Sequence, residues 1–179
     1  MSRSFSTATA APVAEGARGT LHVVARVGDE RFAFSVADVE EVIDAPVFIA
    51  VPNALPGMAG QFAHRGRTVS AFDAGWAFGV ERAANGVAYG VAYGAGTDTA
   101  LILRVAGDCA ALIVDDVEDL ALLDPEAVRN TPAGADPAGL LRGVCLPRSG
   151  GSSADGLIGV VNATAVVARV SSLASPVGG

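Results

Sequence analysis

A mainly β chain built from small barrels is predicted by three features of the sequence. Apolar runs of strand length recur along its 179 residues, 22 glycines and several prolines separate them, and no long stretch keeps the three-to-four spacing of a helix. Short strands separated this way fit small barrels better than alternating βαβ units. With 51% hydrophobic residues the chain can bury a substantial core. Its length fits one domain, or two half-domains sharing that core.

Residues 1–19 are small and polar and read as a disordered tail. Leu21–Val27, the turn Gly28-Asp29-Glu30 and Arg31–Ser35 then form a first hairpin, with Phe32 and Phe34 on one face. Val36, Val39, Val42 and Ile43 fall three and four apart, and Ser35 can cap, so a short helix leading into a strand is expected here. Pro46, Pro52 and Pro56 keep the next stretch extended. It leads to Met58–His64 and Thr68–Phe72, two apolar runs joined by Arg65-Gly66-Arg67, which read as a central hairpin.

A turn of helix is expected after Asp73, through Trp76 and Phe78. Gly79–Asp98 is glycine-rich and reads as a long connection, so the half-domain boundary is placed near residues 79–98. Ala100–Ala106, Gly107-Asp108 and Cys109–Val114 form another hairpin, which ends at Asp115-Asp116. Leu140–Leu146 and Leu157–Asn162 are two further strands joined by a Gly/Ser loop. Ala163–Leu173 carries Val166, Val167 and Val170 on one face and reads as a closing helix before a tail at 175–179. The second half repeats the organisation of the first, without a repeat evident at the level of residues.

Chemistry-bearing signals are few. The net charge of -7 argues against nucleic acid and against an anionic membrane surface, since both need clustered Lys and Arg. No apolar segment is long enough for a signal peptide core or a transmembrane helix, so a cytoplasmic location without membrane insertion is expected. Cys109 and Cys145 lack metal-ligand or disulfide spacing and read as buried structural thiols. Phosphate-loop, dinucleotide, metalloprotease and serine-hydrolase motifs do not occur, so no cofactor, metal or catalytic group is expected. His22 and His64 read as isolated strand residues, and Asp115-Asp116 as a solvated strand end. Arg65 and Arg67 form a positive spot in an acidic chain, either a solvated turn or a feature for an acidic partner.

The order of these weak signals resembles the CheW-like domain family. Phe32-Ala33-Phe34, Val39-Glu40-Glu41-Val42-Ile43, Val51-Pro52-Asn53, and Gly60 leading to Arg65-Gly66 and Asp73 match its first half. Leu112-Ile113-Val114-Asp115, Val117, the Leu123–Pro132 segment and Gly143 match its second. The likeness spans Leu21–Leu173, and the domain is placed at residues 20–174. It implies two intertwined five-stranded SH3-like barrels with short helices, including a C-terminal one. It also implies a non-catalytic adaptor that couples the cytoplasmic tip of a chemoreceptor to the regulatory domain of a CheA-type histidine kinase, whose docking groove is apolar. The family's receptor-facing positions fall on Val39, Glu41 and Arg65, with Leu101 near the same surface. The chain departs from the family pattern beside that surface: Ala63-His64 replace an Asn-Leu pair, Ser70 a proline, and Ala74 the leucine after Asp73. An adaptor of another chemosensory system, such as twitching motility, or a small-ligand-binding barrel are the other readings.

Overall fold

The structure, a computed structural model, describes residues 19–82, 98–136, 138–146 and 156–174. Ten strands and two helices follow in order: β1 (Thr20–Val27), β2 (Glu30–Ser35), β3 (Val39–Asp44), β4 (Met58–His64), β5 (Arg67–Asp73), α1 (Ala74–Phe78), β6 (Thr99–Val105), β7 (Asp108–Val114), β8 (Asp116–Leu123), β9 (Leu141–Cys145), β10 (Ile158–Val161) and α2 (Ala163–Ala174). The expected tails and most of the 79–98 connection lie outside the described residues, as does the Gly/Ser loop before β10.

Two five-stranded sheets result, ordered β8-β1-β2-β10-β9 and β3-β6-β7-β5-β4. The second order is the first with every strand replaced by its counterpart in the other half: β3 for β8, β6 for β1, β7 for β2, β5 for β10, β4 for β9. Each sheet therefore takes strands from both halves, which is what intertwining means in hydrogen bonds. The exchange requires two parallel pairings, β2 with β10 and β5 with β7, in otherwise antiparallel sheets.

Apolar side chains sort into three cores. The largest lies between the sheets, where Phe34, Phe72, Leu101, Leu103, Leu112 and Val114 meet Val166 and Val170 of α2. Alternate residues on the same strands point the other way, into one small core per sheet. Ile102 and Ile113 belong to one, and Ala33 and Ile158 to the other. A strand buried on both faces shows little polar alternation, which is why β6 and β7 read as continuous apolar runs. Fully burying one phenylalanine such as Phe72 contributes about 1.5–3 kcal/mol.

The short helices are positioned by caps. Asp73 accepts a hydrogen bond from Trp76 N at 2.8 Å, and Gly79 closes α1 in the left-handed region at φ 72. Asn162 plays the same capping part before α2, accepting from Ala165 N.

Two sequence expectations are corrected. Residues 39–44 are a strand, not the continuation of a helix begun at Ser35: Asp38 N donates to Ser35 O in a single turn, and β3 then pairs with β6. The halves also do repeat at the level of residues. Asp38-Val39-Glu40-Glu41-Val42 corresponds to Asp116-Val117-Glu118-Asp119-Leu120, with Val39 opposite Leu103 and Val117 opposite Ala25. Gly60 and Gly143 are a second such pair. A Cβ on either would lie 2.6 Å from Ile49 O or 2.3 Å from Arg129 O, where a loop bridges onto the strand.

Candidate protein-binding surface

A register shift between Val39 and Glu41 leaves Glu40 as the extra residue of a β-bulge. A bulge interrupts the up-down alternation of a strand and re-aims its side chains. Here both carboxylates turn toward the β4–β5 hairpin. Glu40 pairs with Arg67 Nη2 at 3.0 Å and with Arg104, and Glu41 Oε2 lies 3.1 Å from His64 Nε2 and 2.9 Å from Arg65 Nη2. β3 and β4 are the two edges of their sheet and share no backbone ladder. Ion pairs therefore tie together edges that hydrogen bonds do not join.

The hairpin closes in two residues, Arg65 at φ 47 and Gly66 at φ 75. Positive φ at both central positions is the turn that matches strand twist. It costs little at Gly66 and of the order of 1 kcal/mol at a residue with a Cβ, so Arg65 is held there against its backbone preference. Its side chain is 62% exposed. The expected positive spot is corrected by this geometry: Arg65 and Arg67 are paired with Glu41 and Glu40, and what the surface offers is a set of charge pairs. Hydrogen bonding from Arg104 holds the Glu40 carboxyl below its ordinary value; burial opposes this, and the charges of Arg104, Arg67 and His64 reinforce it.

Of the other sequence-predicted site residues, Val39 is half-buried against the central core at the foot of the bulge. Leu101 is corrected as a surface residue. It is fully buried opposite Val42, pointing into the core between the sheets, and it supports this face only from beneath.

A second ionic cluster was missing from the sequence reading. Arg82, 11% exposed, reaches Asp73 Oδ2 at 2.5 Å, Asp98 Oδ1 at 2.9 Å and Asp115 Oδ1 at 2.7 Å. Burial works against the charged guanidinium, yet hydrogen bonds and attraction from Asp115 and Asp73 hold its pKa above the usual value. Asp115 Oδ2 also accepts from Gly28 N at 2.5 Å, so the cluster joins the β1–β2 turn of one sheet to the strand ends of the other. The solvated reading of Asp115 is thereby corrected. The signal in the sequence is three aspartates, Asp73 and Asp115 closing apolar strands and Asp98 preceding one, places where an unpaired carboxylate is costly.

His22 is buried with Nδ1 2.8 Å from Thr20 O. Cys145 is buried and Cys109 half-buried, and burial pushes both thiols up, away from the reactive thiolate. Among the described residues, no three His, Cys, Asp or Glu are grouped to hold a metal, and no helix is long and apolar enough to cross a membrane. A cleft of about 270 Å³ runs between Phe32, Phe78, Leu141 and Leu157. Asp136 on its wall is already spent on Leu140 N and Leu141 N.

The fold is thus two interleaved five-stranded sheets, each built from both halves, with ion pairs along the β3–β4 seam. Residues 22–170 match the family model of the CheW-like domain, and the chain belongs to that family. The fold is also similar to the scaffolding protein TtCheW from Thermoanaerobacter tengcongensis, with a TM-score of 0.66 and 19% identity over 80% of this chain and 84% of that one. No curated protein matches the chain.

Proposed function

We propose that this chain is a non-catalytic scaffold in chemosensory signalling, coupling a chemoreceptor's cytoplasmic tip to the regulatory domain of a CheA-type histidine kinase. Membership of the CheW-like family supports the scaffold role. The observation that carries the receptor-facing assignment is Arg65: an exposed guanidinium kept at positive φ on a hairpin tip and braced by Glu41 across the edge of the sheet. A non-glycine residue held in that conformation is a motive for a functional reading. A planar guanidinium with free donors can make charge-assisted bonds to an acidic helix. Val39 and Glu41 complete the contact, and apolar burial drives the kinase contact.

Reconstitution with a receptor cytoplasmic fragment and a CheA-type kinase tests the proposal. The wild-type chain is expected to bring both into one sedimenting complex, and Arg65→Glu to retain the kinase while losing the receptor. A chain that binds neither partner sinks the adaptor reading.

A further inference from the structure

Glu41 offers a single oxygen to an imidazole and a guanidinium. Oε2 lies 3.1 Å from His64 Nε2 and 2.9 Å from Arg65 Nη2. Oε2 and Nε2 are both shut off from solvent, and neither makes a well-directed hydrogen bond. The His64 side chain is 11% exposed and that of Arg65 is 62% exposed. Imidazole is the one side chain here whose charge ordinarily changes between pH 5 and 8.

The groups facing His64 leave Glu41 as its partner. Glu40, on the same bulge, is engaged by Arg104 of β6 and Arg67 of β5, although it also feels a charge on His64. Arg67 is the cross-strand neighbour of His64, Arg65 adjoins it in the turn, and the Phe62 ring lies 6.3 Å away without a charge to offer. Three cations already surround two carboxylates before the imidazole takes up a proton.

We propose that His64 is a proton-operated latch on Arg65. Below the imidazole's titration, Nε2–H donates a charge-assisted bond to Glu41 Oε2, and the two positive groups compete for one buried oxygen. Arg65 is the more exposed, so water replaces its lost partner at the least cost and it lets go. Above the titration Glu41 belongs to Arg65 and the guanidinium is tied down. Acidification thus frees the Arg65 guanidinium for an acidic partner.

Side-chain NMR on the full chain tests this without any partner, so its outcome is separate from the fate of the adaptor reading. The His64 ring carbon and the Arg65 Nε resonance are followed from pH 8 to 5.5. Arg65 is expected to shift with the midpoint of His64 and not with that of His22, which lies in the other sheet. In His64→Gln, with the amide spectrum intact, the Arg65 trace is expected to be flat. In Glu41→Gln the imidazole still titrates and Arg65 no longer follows. An Arg65 resonance that stays fixed in the wild type while His64 titrates, or that moves equally in His64→Gln, overturns the latch.

Discussion

The two bulges, one in β3 and one in β8, are built alike and end differently. In each, a glutamate is the extra residue, and in each it is taken by the arginine at the same place on the neighbouring strand: Glu40 by Arg104, Glu118 by Arg26 at 3.4 Å. A second partner follows across that hairpin, Cys109 at 3.9 Å from Glu40 and Arg31 at 2.9 Å from Glu118. The next residue departs. Glu41 reaches the hairpin-tip cations, whereas Asp119 folds back on its own strand and accepts from Leu120 N at 2.7 Å. The bulge is a backbone device shared by both halves, and among the described residues the side chain that follows it meets hairpin-tip cations in the first half alone.

The largest effect is expected at the cluster around Arg82, which joins the two sheets. Arg82 follows α1 and holds three aspartates that are each 17% exposed or less. Arg82→Ala leaves those carboxylates close together without their cation, and stability measured by chemical denaturation should fall by about 3 kcal/mol. Arg82→Lys should recover part of it, since one ammonium cannot span three acceptors as a guanidinium does. A loss below about 0.5 kcal/mol would show that the clamp does not hold the sheets together.

Next comes the hairpin tip. Arg65→Glu sets a second carboxylate beside that of Glu41, and binding to a receptor fragment is expected to drop tenfold or more, which is about 1.4 kcal/mol. Folding should change by less than about 1 kcal/mol, because the side chain is exposed and its pairing is worth little in water. Arg65→Lys should bind at an intermediate level and Glu41→Lys should bind weakly, while Glu81→Lys, on an exposed residue away from this face, should match the wild type. Equal behaviour of all these variants would place the receptor contact elsewhere.

The bulge glutamates themselves should differ by a smaller margin. Glu40 has an 11% exposed side chain against 27% for Glu118, so Glu40→Gln should cost about 1–2 kcal/mol at neutral pH and Glu118→Gln less than about 1 kcal/mol. Because the folded Glu40 carboxyl sits below its ordinary value of 4.5, the unfolded chain takes up that proton first as pH falls. Its contribution is complete above about pH 5 and drains away as pH drops through the lower, folded value. Denaturation between pH 6 and 3 should therefore show a shallower acid loss in Glu40→Gln than in the wild type.

Much of this architecture is legible in the sequence because hairpins announce themselves locally: Gly28, Gly66 and Gly107 sit at turns, and Asp73 and Gly79 bracket α1. The family resemblance then implied the two five-stranded barrels that the ten strands form. β3 misleads because the bulge adds one residue to a period of two, which sets Val39 and Val42 three apart and imitates a helix. The same irregularity hides the repeat, since the geometry shared by the two halves there is carried by five residues with unlike neighbours. Leu101 shows a further limit: a residue on the right strand can point through the sheet, and only register reveals which face it takes. Arg82 escapes because its partners are far apart in sequence, and no local pattern joins Asp73, Asp98 and Asp115.

The smallest expected effect falls on the second bulge and bears most directly on the comparison. Asp119 is exposed, and its carboxylate accepts from the adjacent backbone amide of Leu120. Asp119→Lys reverses a charge at the position equivalent to Glu41, yet no imidazole or arginine pairs with it among the described residues. Stability should change by no more than about 0.5 kcal/mol, the ordinary range for surface substitutions. Receptor binding should stay within twofold of the wild type, in the assay where Glu41→Lys weakens it. If Asp119→Lys weakened binding as much as Glu41→Lys, both halves would present a partner-facing bulge, and the chemistry placed on one barrel would belong to two.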